Sequence, residues 1–413
     1  MTAPADRRRR LASLLSPGDL AVIATGPQRR FPGPDSADPW PDFFYLTGID
    51  HPHASLLLEC SAADGRLREW LFLPESSAAL WDGVIPRAEI TAAGVGEILA
   101  ASQFEPFLRL KAFTAKRLLV FGGGNPFAPE SAEPWLPSLC ARLLPGLHQE
   151  RLGPILGTLR ASKSPEEIEA IREASETAAA GLRRAAASLR PGTRGCDLKA
   201  EYLHTIHQRG SRGPGCPILT ACGAESLALH FHGDRQGARA GDGFLIDVTA
   251  EMNRWHADLT RFLPVSGTFS APQRAAYLAI HRTLGHAIRS LRPGRLLPDC
   301  EEEALVFLQS ELLREGLLLA TQVPDPAVPS PAIRRICPHR IFHHIGCEVH
   351  DPVPDSLPLP SSAALAVEPG ALLPSLGFGI RLEETVALGA DGPSILTGAM
   401  PSEADAVEDL LRF

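Results

Sequence analysis

The chain has 413 residues, an apolar fraction of 44% and a mean hydropathy of −0.01, which describes a protein with ample core and, by length, two domains. Its formal net charge of −8 gives no electrostatic reason to bind nucleic acid. No apolar run approaches the ~18 residues of a membrane span, and the N-terminus lacks the basic-then-apolar layout of a signal peptide. The eight cysteines form no C-x-x-C pair, so buried thiols in a reducing cytoplasm are expected.

The run Arg7-Arg8-Arg9-Arg10 starts a helix-like stretch to Leu15 and is expected to form a solvated helical face. Short apolar runs bounded by turn residues then predict central strands: Leu20 to Ala24, Ser55 to Leu58, Trp70 to Leu73 and Leu118 to Phe121. Helix candidates between them are Ser76 to Trp81 and Gly94 to Ala101. Gly122-Gly123-Gly124-Asn125-Pro126 lacks the Lys-Ser/Thr of a phosphate loop and is expected to be a plain turn. Residues 1–160 thus form an α/β domain, and residues 161–413 a second one. The second opens with Ser164-Pro165-Glu166-Glu167, a helix start with an N-cap Ser, Pro at the first helical position and Glu three residues after the cap. Ile168, Ile171, Leu182, Ala185 and Leu189 mark the buried face of that helix, which stops at Pro191-Gly192. Further helices are predicted over Asp197 to Gln208, Ala271 to Leu291 and Cys300 to Glu315, with a strand-rich block from Pro217 to Val265. The order ααββ recurs. The proline-dense segment Val323 to Pro338 is expected to be a surface loop.

The chemistry lies in this second half. Asp247, Asp258, His343, Glu368 and Glu383, with His230 and His350 nearby, each sit in an apolar or Gly-rich setting that reads as strand or strand end. Two Asp, one His and two Glu make a hard, oxygen-rich donor set suited to a pair of Mn²⁺-like ions. Two metals sharing carboxylates activate water and clamp the oxygens of a tetrahedral intermediate. If the strands around Asp247 and Asp258 form a hairpin turning near Met252-Asn253, the two aspartates lie roughly opposite each other, in joint reach of one cation. His339, His343, His344 and His350 cluster between Pro338 and Pro352, and buried carboxylates at Glu368 and Glu383 need partners.

These motifs together resemble the proline-specific metallopeptidases of the aminopeptidase P and prolidase group. The matching residues are Leu229-His230-Phe231, Leu245-Ile246-Asp247 through Glu251, Asp258-Leu259-Thr260-Arg261, His339 through Asp351, Glu368-Pro369-Gly370 and Gly379 through Glu383. Phe43 to Gly48 and Leu71 to Pro74 are similar to that group's N-terminal domain. The resemblance implies a creatinase/prolidase-like α/β domain followed by a pita-bread catalytic domain with pseudo-symmetric ααββ halves, and two divalent ions, Mn²⁺ first, with Co²⁺ or Zn²⁺ as alternatives. It further implies that Asp247 binds one ion, that Asp258 and Glu383 bridge both, and that His343 and Glu368 complete the other. Glu368 would also shuttle a proton as general base and then acid. His230 and His350 would stabilise the tetrahedral intermediate, His339 would line the proline pocket, and Arg381 would orient a carboxylate ligand. A homodimer or higher homo-oligomer is implied as well.

Three departures touch substrate handling. Arg340 replaces a small residue after the first His of its motif, Leu372 stands where a Tyr is common, and the segment between Gly370 and Gly379 is short. A dipeptidase must bind the free carboxylate of proline, and Arg340, His344 and His232 are extra basic residues beside the motifs. The sequence therefore leans toward an Xaa-Pro dipeptidase, with an Xaa-Pro aminopeptidase acting on longer peptides as the alternative. A non-metal creatinase-like enzyme or binding module on the same fold is the remoter reading, disfavoured because all five ligand positions are filled.

Overall fold

The computed structural model describes residues 4–25, 41–75, 83–120, 135–231, 233 and 236–412. The helix expected over Ser76 to Trp81 and the turn at Gly122 to Pro126 lie outside these residues. Two compact units result: one of residues through Arg160 together with Pro352–Pro354, the other of Ala161–Asp351 together with Asp355 onward.

The first unit is built on a mixed sheet in the order β4-β3-β2-β1-β5-β6. Its strands are β1 (Asp19–Ala24), β2 (Ser55–Cys60), β3 (Leu67–Leu73), β4 (Glu97–Ala100), β5 (Arg117–Val120) and β6 (Gln149–Arg151). β1 is buried along its whole length, as its unbroken apolar run demands of a central strand. Leu20, Val22, Leu57, Phe72 and Leu118 pack with Phe104 and Leu108 of a helix over Phe104–Ala112. Two expectations fail here. Gly94 to Ala101 is not a helix: Glu97–Ala100 pairs in parallel with β3, because the two glycines leave too few residues for helical turns and β3 offers an edge. The arginine run is only half a solvated face, with Arg9 and Arg10 exposed. Arg7 and Arg8, in a helix over Pro4–Ala12, are 2% and 0% exposed, and their guanidinium groups donate to the carbonyls of Tyr45 and Leu46.

The second unit opens with the helix Pro165–Ala187. The N-cap works in both directions: the Ser164 hydroxyl accepts from Glu167 N at 3.3 Å, and Ser164 N donates to the Glu167 carboxylate at 2.9 Å. Helices Gly195–Gln208, Ala271–Ser290 and Leu297–Arg314 follow. The first pair precedes a three-stranded sheet of β7 (Leu219–Cys222), β8 (Gly243–Met252) and β9 (Trp255–Pro264). The second pair precedes β10 (Phe342–His344), β11 (Ala364–Val367), β12 (Gly370–Leu373), β13 (Phe378–Arg381), β14 (Glu384–Gly389) and β15 (Gly392–Ile395). Of these, β10-β11-β14-β15 form one sheet and β12-β13 a ribbon. This is the repeated helix-pair-then-strands order of the sequence. The proline-dense segment is not all loop: Pro331–Ile336 forms a short helix started by Ser330, whose hydroxyl accepts from Ile333 N, and it buries Ala332 and Ile333. Among the described residues, no helix is long and apolar enough to cross a membrane.

Candidate active site

β8 and β9 are an antiparallel hairpin whose two-residue turn is Asn253-Arg254, with φ of 51° and 67°. Two consecutive positive φ values are what the tight hairpin turn requires, and Asn tolerates them well. The turn falls one residue later than expected. Asp247 therefore faces Thr260 and Asp258 faces Thr249. The two aspartates share a face as diagonal neighbours rather than standing directly opposite.

The second half of the site comes from the later strands. His343 is the middle residue of β10, Glu368 follows β11, and Glu383 immediately precedes β14. His230 and His350, expected at strands, instead occupy loops. His343 Nε2 lies 3.7 Å from Asp258 Oδ2, 3.6 Å from Glu368 Oε1 and 4.0 Å from Glu383 Oε1. These separations exceed hydrogen-bond length. They suit ligand atoms sharing one ion, which at roughly 2.0–2.2 Å bond lengths stand about 3–4 Å apart. His343 Nδ1 is 3.1 Å from the His344 carbonyl. A proton donated there leaves the Nε2 lone pair turned toward the carboxylates, the tautomer a metal ligand needs.

The electrostatics point the same way. Burial, then Glu383 and Asp247, push the Asp258 carboxyl well above its ordinary range. Burial, then Glu368 and Asp247, do the same to Glu383. Burial lifts Glu368 to about 8 against the pull of Arg381. Burial, and then His350, lower His343 to about 3, so its imidazole is neutral. One Glu383 oxygen accepts the Thr260 hydroxyl at 2.7 Å, while the other, Oε1, is buried without a hydrogen-bond partner. Ligand atoms of Asp258, His343 and Glu383 all lie within 4.8 Å of one another. A buried surplus of carboxylate, one orphaned oxygen and a neutral imidazole fit a divalent cation.

Arg381 donates to Asp247 and lies 3.7 Å from Glu368. Burial opposes its charge, but Asp247 and then Glu368 hold it protonated. His339 Nε2 is 3.0 Å from the Glu368 carbonyl, and burial followed by Arg381 lowers its pKa to about 4. The His350 ring centroid is 4.4 Å from that of His343, and burial lowers the His350 pKa. His230 is exposed and within electrostatic reach of both His339 and His350. A cavity lined by Leu219, Phe231, Leu245 and Leu372 opens against His339 and Arg381. The backbone comes close here: a Cβ on Gly379 would meet the Ser226 carbonyl at 2.2 Å, so glycine is required for the approach.

The family description "Metallopeptidase family M24" matches residues 169–390, and "Aminopeptidase P, N-terminal domain" matches residues 5–119. The chain belongs to metallopeptidase family M24. This M24 chain is 28% identical over 432 residues to the Xaa-Pro aminopeptidase of Escherichia coli, covering 98% of this chain and 96% of that one. Proline aminopeptidase P II from Yersinia pestis superposes with a TM-score of 0.85 at 25% identity, covering 100% and 99% of the two chains. Aminopeptidase P from E. coli with the inhibitor Pro-Leu superposes with a TM-score of 0.84 at 26% identity, covering 99% and 97%.

The M24 site does not gather every basic residue singled out by sequence. Arg340 is 46% exposed and pairs with Asp355 through two hydrogen bonds of 2.9 and 3.3 Å. His344 alternates with His343 along β10, is buried, and meets the charges of Lys163 and Asp351; burial, then Lys163, lower its pKa to about 3. His232 lies outside the described residues. Thr260, in contrast, had no assigned role yet fixes one Glu383 oxygen. Its signal was strand alternation: Asp258 and Thr260 are two residues apart in one strand, hence on one face.

Proposed function

We propose that this M24 metallopeptidase is an Xaa-Pro aminopeptidase, removing the first residue of peptides that have proline second, with two divalent ions held by Asp247, Asp258, His343, Glu368 and Glu383. The observation that supports it most is the end-to-end similarity, 98% of this chain, to an Xaa-Pro aminopeptidase, covering both the N-terminal unit and the unit that holds the donor cluster. This reverses the dipeptidase lean. That lean rested on Arg340, His344 and His232, and of the two described, Arg340 is spent on Asp355 and His344 is buried within the electrostatic reach of Lys163 and Asp351.

When bound, the ions supply an activated water and polarise the scissile carbonyl. The protein's own groups do the remainder. Glu368 accepts the attacking water's proton and returns it to the proline nitrogen as the C–N bond breaks. His350 and His230 donate to the oxygen on which charge develops. Arg381 holds Asp247 in place. The apolar cavity beside His339 takes the proline ring.

Comparing hydrolysis of Xaa-Pro-Xaa tripeptides and Xaa-Pro dipeptides by the Mn²⁺-supplemented enzyme tests the reading. A preference for tripeptides is expected; faster dipeptide cleavage overturns it.

A further inference from the structure

Asp258 lies in β9 of the three-stranded sheet, whereas Glu383 leads into β14 of the four-stranded sheet, and no ladder joins the two strands. One backbone hydrogen bond, Glu383 N to Thr260 O at 3.1 Å, crosses the seam beside the carboxylates. Side chains supply the rest. The Thr385 hydroxyl accepts from Asp258 N at 2.9 Å and donates to Asp258 O at 2.8 Å. Arg261 spans the seam behind the site: Nη1 donates to Glu383 O at 2.7 Å and Thr260 O at 3.0 Å, and Nη2 to Glu384 Oε1 at 2.5 Å. Its remaining bonds go to Met400 O at 2.7 Å and Pro401 O at 2.8 Å. The Thr397 hydroxyl completes the set on Glu384 Oε2 and accepts from Thr385 N. Arg261, Thr385 and Thr397 are 0% exposed and Glu384 is 1% exposed.

We propose that Arg261, with Glu384 and Thr385, is a positioning device that sets the spacing of Asp258 and Glu383 and so the affinity of the site for divalent metal. These groups hold the main chain of the two acids rather than their carboxylate oxygens. Side chains alternate along a strand, so Arg261 points away from the face shared by Asp258 and Thr260. Like charges forced together in a buried site repel, and the cross-seam bonds keep the strands from parting under that repulsion. Guanidinium is suited to this because its planar fork satisfies several carbonyls and a carboxylate at once, which an ammonium group does not.

The inference rests on reading Asp258 and Glu383 as metal ligands, and one experiment separates the two. Mn²⁺ is titrated calorimetrically into metal-stripped wild type, Thr385→Val, Thr385→Ser, Arg261→Lys and Leu308→Ala, with the melting temperature of each recorded. Leu308, fully buried in the helix Leu297–Arg314, is a remote core truncation that lowers stability without touching the seam. Thr385→Val and Arg261→Lys are expected to bind Mn²⁺ roughly 10–100-fold more weakly. Thr385→Ser, which keeps the hydroxyl, and Leu308→Ala should stay near wild type. If Arg261→Lys does not fold, the Val and Ser pair decides. Wild-type affinity in Thr385→Val, or an equal loss in Leu308→Ala, overturns the positioning role alone. Absence of Mn²⁺ uptake by wild type overturns the ligand reading and this inference together.

Discussion

Both units bury charge, and they do so differently. In the N-terminal unit each buried arginine is matched: Arg7 to the Tyr45 carbonyl, Arg8 to Leu46, Gly94 and Glu69, and Arg160 to Asp42 at 2.8 Å. In the catalytic unit Arg261 is matched in the same way, to Glu384 and to main-chain carbonyls, but Asp247, Asp258, Glu368 and Glu383 converge with Arg381 in a ratio that leaves negative charge over. Matched burial is architecture, because each buried side chain has a protein partner. Unmatched burial is unstable unless something else arrives, which makes it the signature of a binding site.

That contrast can be broken most severely at Glu383. Glu383→Gln should drop peptidase activity to background and, in metal-stripped protein at neutral pH, raise the melting temperature, because a neutral amide replaces a carboxyl that burial and its neighbours hold well above its ordinary range. A fall in melting temperature would mean that the carboxylate is matched after all. Arg160→Met is the opposite case. It leaves Asp42 charged and buried at 1% exposure, and should destabilise the N-terminal unit by about 3–5 kcal/mol in denaturant unfolding.

A subtler effect belongs to Glu301. Burial raises its carboxyl to about 7, although it accepts the Ile341 N–H. A folded-state pKa above the unfolded one stabilises the protein below the unfolded value and loses that contribution as pH rises through about 7. Stability of the Mn²⁺-loaded protein should therefore decline between the ordinary carboxylate range and pH 7, and Glu301→Gln should flatten that decline. The smallest effect is expected at Arg340. Its exposed pair with Asp355 contributes under about 1 kcal/mol, so Arg340→Met should shift stability little and leave KM for Xaa-Pro-Xaa unchanged.

The convergence of Asp258, His343, Glu368 and Glu383 was legible in the sequence because each combines a polar head with an apolar strand neighbourhood, a pattern with few structural uses. Helix boundaries were legible for a local reason: the Ser164-Pro165 cap and the Pro191-Gly192 stop act within a few residues. What escaped was tertiary. Arginines 7 and 8 look solvated in one dimension, and only the carbonyls of Tyr45 and Leu46, 38 residues away, give them a buried place. The Gly94 to Ala101 stretch becomes a strand because β3 is beside it. Arg340 and His344 look equivalent beside His343, yet the alternation of a short strand and a partner at Asp355 take both away from the site.

The hairpin of β8 and β9 also sets an order of events. Its two-residue turn lets Asp247 and Asp258 meet through contacts that are local in sequence, and local contacts close early in folding. Thr260 and Glu383 are 123 residues apart, so the other half of the donor set joins only when the C-terminal strands dock. The donor cluster is therefore expected to be complete only once the C-terminal strands have docked, since the hairpin alone offers Asp247 and Asp258 without His343, Glu368 and Glu383.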